Sequence, residues 1–154
     1  MRGVETVRTA RDLDELRVLF REYHAWVAEP ACFVAFEREL AELPGEYGPP
    51  GGALLVAHLD GSAAGCAALR RLPDGAGEMK RLYVRPAYRG RGLARRLALE
   101  VIARARAQGC PALYLDTLPK MAAAIALYGA LGFARRGPYA DAPTPGALFF
   151  ELPL

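Results

Sequence analysis

The chain has 154 residues, of which 53% are hydrophobic and 24% are charged, so it is not an intrinsically disordered protein. A chain of this length buries about 70% of its unfolded surface, which predicts a single domain over residues 1–154. The formal net charge of +3 is too small to indicate a nucleic-acid partner by itself.

The cysteines predict a reducing compartment. Cys32, Cys66 and Cys110 are odd in number and widely spaced, a pattern typical of free thiols and unlike a set of metal ligands. Residues 1–16 are too charged for a signal peptide, and no apolar run approaches membrane-spanning length. We therefore expect a cytoplasmic protein with no bound metal and no membrane association.

The first third of the sequence predicts one strand and two helices. Residues 4–10 resemble a short strand, and Asp12 with Glu15 forms a capping box ahead of an amphipathic helix. A second helix is predicted over 32–43, where apolar residues recur at helical spacing. A loop rich in Pro and Gly follows over 43–52.

The rest of the chain predicts a mixed sheet flanked by helices. In order, the elements are strands at 53–59, 63–72 and 78–84, a helix at 92–108, a strand at 112–118, a helix at 120–131 and strands at 133–139 and 146–152. Asp60-Gly61 predicts a hairpin, and the helix between strands 78–84 and 112–118 predicts one parallel crossover. The order β-α-α-β-β-β-α-β-α-β-β predicts an α/β (α+β) fold with a mostly antiparallel sheet of six to seven strands.

Positive charge is concentrated in one segment. Seven basic residues lie between Lys80 and Arg96, and no acid occurs between Glu78 and Glu100. Because the whole chain carries only +3, the remainder is net acidic, so the segment is a positive focus suited to an anionic ligand.

Within this segment, "RGRGLA" (89–94) joins the end of a strand to the start of a helix. The unpaired N–H groups of a helix's first turn and the positive end of its dipole form an anion site, and glycines let a ligand approach the backbone. The string matches neither a P-loop nor a Rossmann fingerprint. Two alternatives remain at this point, a basic solvated helix turn and a nucleic-acid surface, although the aromatic interleaving of stacking platforms is missing.

Two motifs together carry a family resemblance. "YVRPAYRGRGLARRL" resembles the acetyl-CoA-binding segment of the GNAT superfamily of N-acetyltransferases, whose signature [Q/R]-x-x-G-x-[G/A] is filled by Arg89, Gly92 and Ala94. "AIALYGALGF" (124–133) resembles the family's helix 4 signature. The resemblance extends over nearly the whole chain and implies the GNAT fold with acetyl-CoA as cosubstrate.

The resemblance implies roles for particular residues. Backbone groups of the strand and of the loop are expected to bind the pantetheine arm and the pyrophosphate of coenzyme A; these residues are Leu82, Tyr83, Val84, Arg89, Gly90, Arg91, Gly92, Leu93 and Ala94. Tyr128 is the expected general acid for the departing thiolate, and Glu78 is a candidate base for the acceptor amine. Each has a plainer alternative: Tyr128 as a packed helix aromatic, and Glu78 as an ion-paired strand residue next to Lys80.

The chain departs from the family pattern at one position. Many relatives carry an asparagine seven residues before the tyrosine, where this sequence has Met121. A contact of an asparagine with cofactor or substrate is therefore not assumed.

The acceptor side is less defined. Helices 1 and 2 and the last strands line it in the family, and here they offer Tyr23, Trp26, Phe33 and Glu37, a set that suits a cationic or amphipathic small amine. The plainer alternative is that such residues at helical spacing belong to the core.

The predicted function is transfer of the acetyl group of acetyl-CoA to an amine, by direct attack, on an unidentified small-molecule acceptor. Alternatives are acetylation of a protein amine, a silent module that binds coenzyme A, and an arginine-driven RNA-binding protein, which we rank last. A homodimer is common in the superfamily, but no residue here demonstrates one.

Overall fold

A computed structural model of the chain describes residues 4–9, 11–27, 33–139 and 145–154. Its strands are β1 (Val4–Thr9), β2 (Ala53–Leu59), β3 (Ser62–Arg71), β4 (Gly77–Val84), β5 (Ala112–Thr117), β6 (Ala134–Arg136) and β7 (Leu148–Pro153). Its α-helices are α1 (Leu13–Val27), α2 (Phe33–Glu42), α3 (Leu93–Ala107) and α4 (Ala122–Ala130). The element order is the one predicted from the sequence, and the predicted strand at 133–139 is shorter than expected.

The strands form one sheet in the order β1-β2-β3-β4-β5-β7-β6. Every neighbouring pair is antiparallel except β4 and β5, which are parallel and joined through α3. The predicted mixed sheet with a single parallel crossover is confirmed.

The helices cover both faces of the sheet and create two cores. On one face, α1 and α2 bury Leu16, Phe20 and Phe36 against Val56 and Cys66. On the other face, α3 and α4 pack on β2 to β5; the buried residues of this core include Leu55, Leu69, Leu93, Leu97, Val101, Leu113 and Tyr128. Burial of a large apolar side chain contributes about 1.5–3 kcal/mol, so the two cores fix the helices on the sheet.

Two local signals act as the sequence predicts. The Asp12 side chain accepts a hydrogen bond from the backbone N–H of Glu15 at 3.1 Å, which caps the first turn of α1. Asp60 and Gly61 both have positive φ, 53° and 81°, as a tight hairpin between β2 and β3 requires.

The parallel pair β4–β5 is joined over only a short length. Among the described residues, the pairing is limited to Gly77 with Leu113 and Glu78 with Tyr114. Beyond these positions the two strands diverge, and the edge of β4 from Met79 to Val84 has no β5 partner. An extended ligand could therefore pair with this edge as an added strand.

In the described ranges, no helix combines the length and the apolar character needed to cross a bilayer.

Candidate active site

A cleft of about 700 Å³ opens where β4 and β5 diverge. One wall is formed by β4 and the start of α3, and the opposite wall by the end of β5 and by α4. The ends of α1 and α2 lie across the cleft from the sheet. Lining residues include Tyr23, Trp26, Phe36, Glu39, Lys80, Arg81, Leu82, Tyr83, Val84, Arg89, Gly90, Gly92, Leu93, Ala94, Asp116, Met121 and Tyr128.

The glycine loop opens into this cleft. Gly90 and Gly92 have φ of 81° and 80°, in the left-handed region that glycine adopts without strain. Gly92 is the N-cap of α3, and no side chain caps the helix. The amides of Leu93, Ala94 and Arg95 have no acceptor within the helix, since its first internal bond is donated by Arg96 to the Gly92 carbonyl. These amides are available to an anion.

The seven basic residues of the segment divide into two groups. Lys80, Arg81 and Arg85 pair with Asp116, Glu39 and Glu22 respectively, so their charges are used inside the protein. Arg91, Arg95 and Arg96 make no ion pair with any residue that the structure describes. The unpaired arginines therefore surround the start of α3, where its dipole already favours negative charge.

Arg89 has a different environment from its neighbours. Its Nε donates to the Val84 carbonyl at 2.9 Å, and its guanidinium lies 5.3 Å from the centre of the Trp26 ring. The residue thereby connects the end of β4, the glycine loop and α1. Arg91, also predicted to bind the cofactor, is exposed and is absent from the cleft lining.

A β-bulge interrupts β4 where it borders the cleft. Lys80 pairs with Ala68 and Tyr83 with Cys66, so Arg81 and Leu82 face the single residue Ala67 of β3. No signal in the sequence announced this bulge.

Tyr128 lies on α4, buried to 6% exposure, and lines the cleft. Its ring packs against Phe133 and Phe150, with ring centres 5.7 and 6.1 Å away. Burial raises the pKa of its phenol well above the usual range, so the group keeps its proton at neutral pH. None of the described residues forms a hydrogen bond with the hydroxyl. The side chain can therefore donate a proton into the cleft.

Met121 takes up the position before α4 without an asparagine's polar groups. Its sulfur accepts a hydrogen bond from the Thr117 hydroxyl at 3.2 Å, and the side chain is buried at the cleft lining. The helix forms as expected, with Met121 at its N-cap.

Glu78 sits deeper in the sheet than a group at the cleft surface. It is 2% exposed, and its carboxylate accepts hydrogen bonds from Arg70 Nε at 2.6 Å and from the Tyr139 hydroxyl. Lys80 Nζ is 3.9 Å away. Glu78 does not belong to the cleft lining. The geometry matches the ion-paired alternative, and the catalytic role stays a prediction.

Asp116 is a carboxylate that the sequence analysis did not select. It lies near the end of β5, two residues beyond the last position paired with β4, and lines the cleft. Lys80 Nζ is 3.6 Å from its Oδ1. Its charge helps to raise the pKa of Tyr128, after the larger effect of burial, so the two groups are close in space. An acid at the end of an apolar strand, in "LYLDT", was the available signal.

The predicted acceptor residues are brought together only in part. Tyr23 and Trp26 line the cleft, whereas Glu37 does not and instead pairs with Arg21 at 2.8 Å. The carboxylate that α2 presents to the cleft belongs to Glu39. Phe33 begins α2, and its side chain lies outside the described part of the structure.

The cleft contains no obvious metal site: within the described ranges, no three His, Cys, Asp or Glu side chains come together in a group able to hold a metal ion.

A sheet that splits beside an anion-binding loop, with a buried phenol facing the gap, defines a transferase for a donor that carries phosphate. Comparison with known proteins identifies the donor class. The profile of the acetyltransferase (GNAT) family matches residues 13–133. The chain therefore belongs to the GNAT family and is an acetyltransferase.

Individual proteins agree with this assignment. An uncharacterized N-acetyltransferase of Schizosaccharomyces pombe is 36% identical over 152 residues, which cover 97% of this chain and 93% of the relative. A Klebsiella pneumoniae protein assigned as an acyl-CoA N-acyltransferase is 32% identical, with a TM-score of 0.79 over 97% of each chain. A Salmonella typhimurium protein assigned as an acetyltransferase, solved with acetyl-CoA, is 25% identical, with a TM-score of 0.71 over 96% of this chain and 92% of that one. None of these descriptions specifies an acceptor.

Proposed function

We propose that the protein transfers the acetyl group of acetyl-CoA to the amine of a small molecule by direct attack in the cleft. The observation that carries this proposal is a convergence. The uncapped start of α3, the unpaired edge of β4 and the Tyr128 phenol all face one cleft of about 700 Å³.

The residues of the cleft fit coenzyme A. The amides of Leu93 and Ala94 and the open backbone at Gly90 and Gly92 suit the pyrophosphate, and nearby arginines without internal partners suit the remaining phosphate charge. The edge of β4 from Leu82 to Val84 offers backbone groups to an extended amide chain, as an added strand would use them.

Within this proposal each catalytic requirement has a group. Acetyl-CoA supplies the acetyl thioester that the amine attacks. Backbone N–H groups of residues 82–84 stabilise the negative charge that develops on the carbonyl oxygen. The Tyr128 phenol, which burial keeps protonated, gives its proton to the departing sulfur.

The acceptor must lose a proton, because an amine with a pKa near 10 is mostly cationic at neutral pH. Glu78 is already bonded to Arg70 and Tyr139, so it would need an intermediate group to reach an amine in the cleft. Asp116 lines the cleft beside Tyr128. We therefore propose Asp116 as the carboxylate that receives the amine proton, with Glu78 as the competing candidate.

The lining of the acceptor side supports a small molecule. Tyr23, Trp26, Phe36 and Tyr83 form aromatic walls, and the Tyr23 and Tyr83 rings are 5.9 Å apart. Aromatic faces next to a carboxylate favour an amphipathic amine that is cationic before reaction. Acetylation of a protein amine is the competing possibility for the same site.

The test is a screen of small amines and of peptides with free N-termini or lysines, using acetyl-CoA and following release of free thiol. We expect turnover on a subset of the small amines and a thermal shift with coenzyme A alone. Turnover confined to peptides would contradict the small-molecule acceptor. Binding without turnover would indicate a silent module.

RNA is the remaining alternative, and its outcome differs from the others. RNA affinity that falls steeply with salt and is not displaced by coenzyme A would contradict the proposal, because the same arginines cannot serve both ligands. The proposal also includes a cytoplasmic location, consistent with the free buried thiols Cys66 and Cys110. The expected homodimer stays a prediction, which analytical ultracentrifugation can check.

A further inference from the structure

Two ion pairs from the acceptor-side helices flank the stretch of β4 that we propose to face the thioester. Glu39 of α2 accepts hydrogen bonds from Arg81 Nε at 2.9 Å and Nη2 at 2.8 Å. Glu22 of α1 accepts them from Arg85 Nε at 3.0 Å and Nη2 at 2.8 Å. Both are two-point contacts of planar groups, which fix orientation as well as distance. The backbone of residues 82–84 is therefore held at both ends.

The pair at Arg81 holds a strained position. Arg81 has φ of 60°, in the left-handed region that a side chain with Cβ adopts only at an energetic cost. It is also the first residue of the β4 bulge, where two residues face one residue of β3. Such a conformation persists when the surrounding structure holds it.

Further contacts immobilise the same pair. The Tyr47 hydroxyl donates to Glu39 Oε1 at 3.0 Å, and the Cys66 thiol donates to the Arg81 carbonyl at 3.3 Å. The Arg81 guanidinium lies 5.4 Å from the centre of the Phe36 ring. The Arg81 and Glu39 side chains are 20% and 23% exposed, so water competes little with their contact.

We infer that Glu39 is a positioning residue for acetyl transfer: through Arg81 it holds the β4 bulge in the shape that directs the residue 82–84 amides at the thioester. The inference rests on the proposed function. Because Glu39 and Arg81 both line the cleft, the contact also links the acceptor-side helix α2 to the strand that binds the donor.

The structural half of the inference is tested without turnover. Glu39→Gln keeps the size of the side chain but removes its charge and one acceptor oxygen. We expect the amides of residues 81–84 to exchange hydrogen at least tenfold faster, with β2 unchanged. The control is Glu100→Gln, which breaks the Arg104–Glu100 pair (3.0 Å) on α3 outside the cleft lining. Unchanged exchange at 81–84 would overturn the inference.

The functional half is tested by separating rate from binding. With an amine that the wild type acetylates, we expect Glu39→Gln to lower kcat about tenfold while the Kd for coenzyme A changes less than threefold. Glu100→Gln should leave both unchanged. A Glu39→Gln protein with wild-type kcat, or one that loses only affinity for coenzyme A, would overturn the positioning role.

A second variant covers the case in which Glu39→Gln fails to fold because Arg81 is left without a partner. Arg81→Gly removes the guanidinium and lets the backbone adopt positive φ freely. We expect this variant to fold, to exchange faster at 82–84 and to lose kcat about tenfold. Glu39→Gln/Arg81→Gly should lose no more than about twofold beyond either single variant, since the two residues act as one unit.

The failures of the two proposals are distinguishable. A wild-type protein that binds no coenzyme A and acetylates no amine contradicts the proposed function. A wild-type rate in Arg81→Gly, or normal exchange in Glu39→Gln, contradicts only the positioning role.

Discussion

At the scale of single residues, the Tyr128 phenol is the group most sensitive to a conservative change. Tyr128→Phe keeps the ring that packs on Phe133 and Phe150 and removes only the hydroxyl. We expect kcat to fall about 100-fold, the lower end of the effect of general acid catalysis, while the thermal shift with coenzyme A is retained. Steady-state kinetics with the best amine of the screen measures the loss.

The matched control is Tyr114→Phe, which removes a hydroxyl from a half-buried tyrosine that is not part of the cleft lining. It should keep wild-type kcat. Equal rates for Tyr128→Phe and the wild type would eliminate the phenol as the acid.

The two carboxylates are separated by their pH profiles. We expect Asp116→Asn to lower kcat/KM for the amine about 100-fold at neutral pH, because the remaining activity depends on amine that has lost its proton to solvent. Raising the pH toward the pKa of the amine should restore much of the loss. Glu78→Gln should give a profile of wild-type shape; a loss rescued by pH in Glu78→Gln alone would assign the base to Glu78 instead.

The sequence predicted positions on the chain better than directions in space. Tyr23, Trp26 and Tyr128 were expected in the cleft and line it. Glu37 was chosen although its neighbour Glu39 faces the cleft, since two residues turn a helix side chain by about 200° and the exact phase of α2 depends on packing. Asp116 was missed because its role depends on where β4 and β5 separate, which is a property of pairing between distant segments.

At the scale of elements, the start of α3 should depend on Gly92 for two separate reasons. Gly92→Ala introduces a Cβ at φ of 80°, where it meets no atom within 4 Å, so the expected penalty of about 1 kcal/mol comes from backbone strain. Strain also moves the helix amides, so we expect weaker binding of coenzyme A, about tenfold in Kd by calorimetry.

Gly109 provides the comparison at the other end of the same helix. It has φ of 78° and equally open space, so Gly109→Ala should lose similar stability without any change in Kd. If both variants bind coenzyme A equally well, the glycine loop does not bind the pyrophosphate.

Elements with local causes were predictable, and those with non-local causes were not. Asp60-Gly61 and the Asp12 cap are set by neighbours in sequence, and both occur as expected. The β4 bulge is different, because Arg81 has no intrinsic preference for positive φ. Its conformation coincides with a contact to Glu39, 42 residues away in the chain.

At the scale of the whole molecule, buried phenols should make the fold sensitive to alkali. Burial raises the pKa of Tyr23 to about 12 from its usual 10, and it also raises the pKa values of Tyr47 and Tyr128. Above pH 10 the unfolded chain loses these protons while the folded chain keeps them. The free energy of unfolding is therefore constant below pH 10 with respect to these groups and falls between pH 10 and 12.

For Tyr23 alone the loss approaches about 2–3 kcal/mol at pH 12, at about 1.4 kcal/mol per pKa unit. Urea denaturation of the wild type and Tyr23→Phe should show a difference that is constant up to pH 9 and shifts in favour of the variant by pH 11. Parallel curves across this range would show that Tyr23 ionises equally in both states.

The short contact between β4 and β5 has a consequence for thermal cooperativity. Strands β1 to β4 and strands β5 to β7 meet at two paired positions, although α3 packs across both. A bound donor that occupies the gap would join the two halves through its own hydrogen bonds. We expect calorimetry of the free protein to give a van't Hoff enthalpy below the calorimetric enthalpy. Saturating coenzyme A should bring the two values together, so the donor would complete the cooperative unit as well as serve as a reactant.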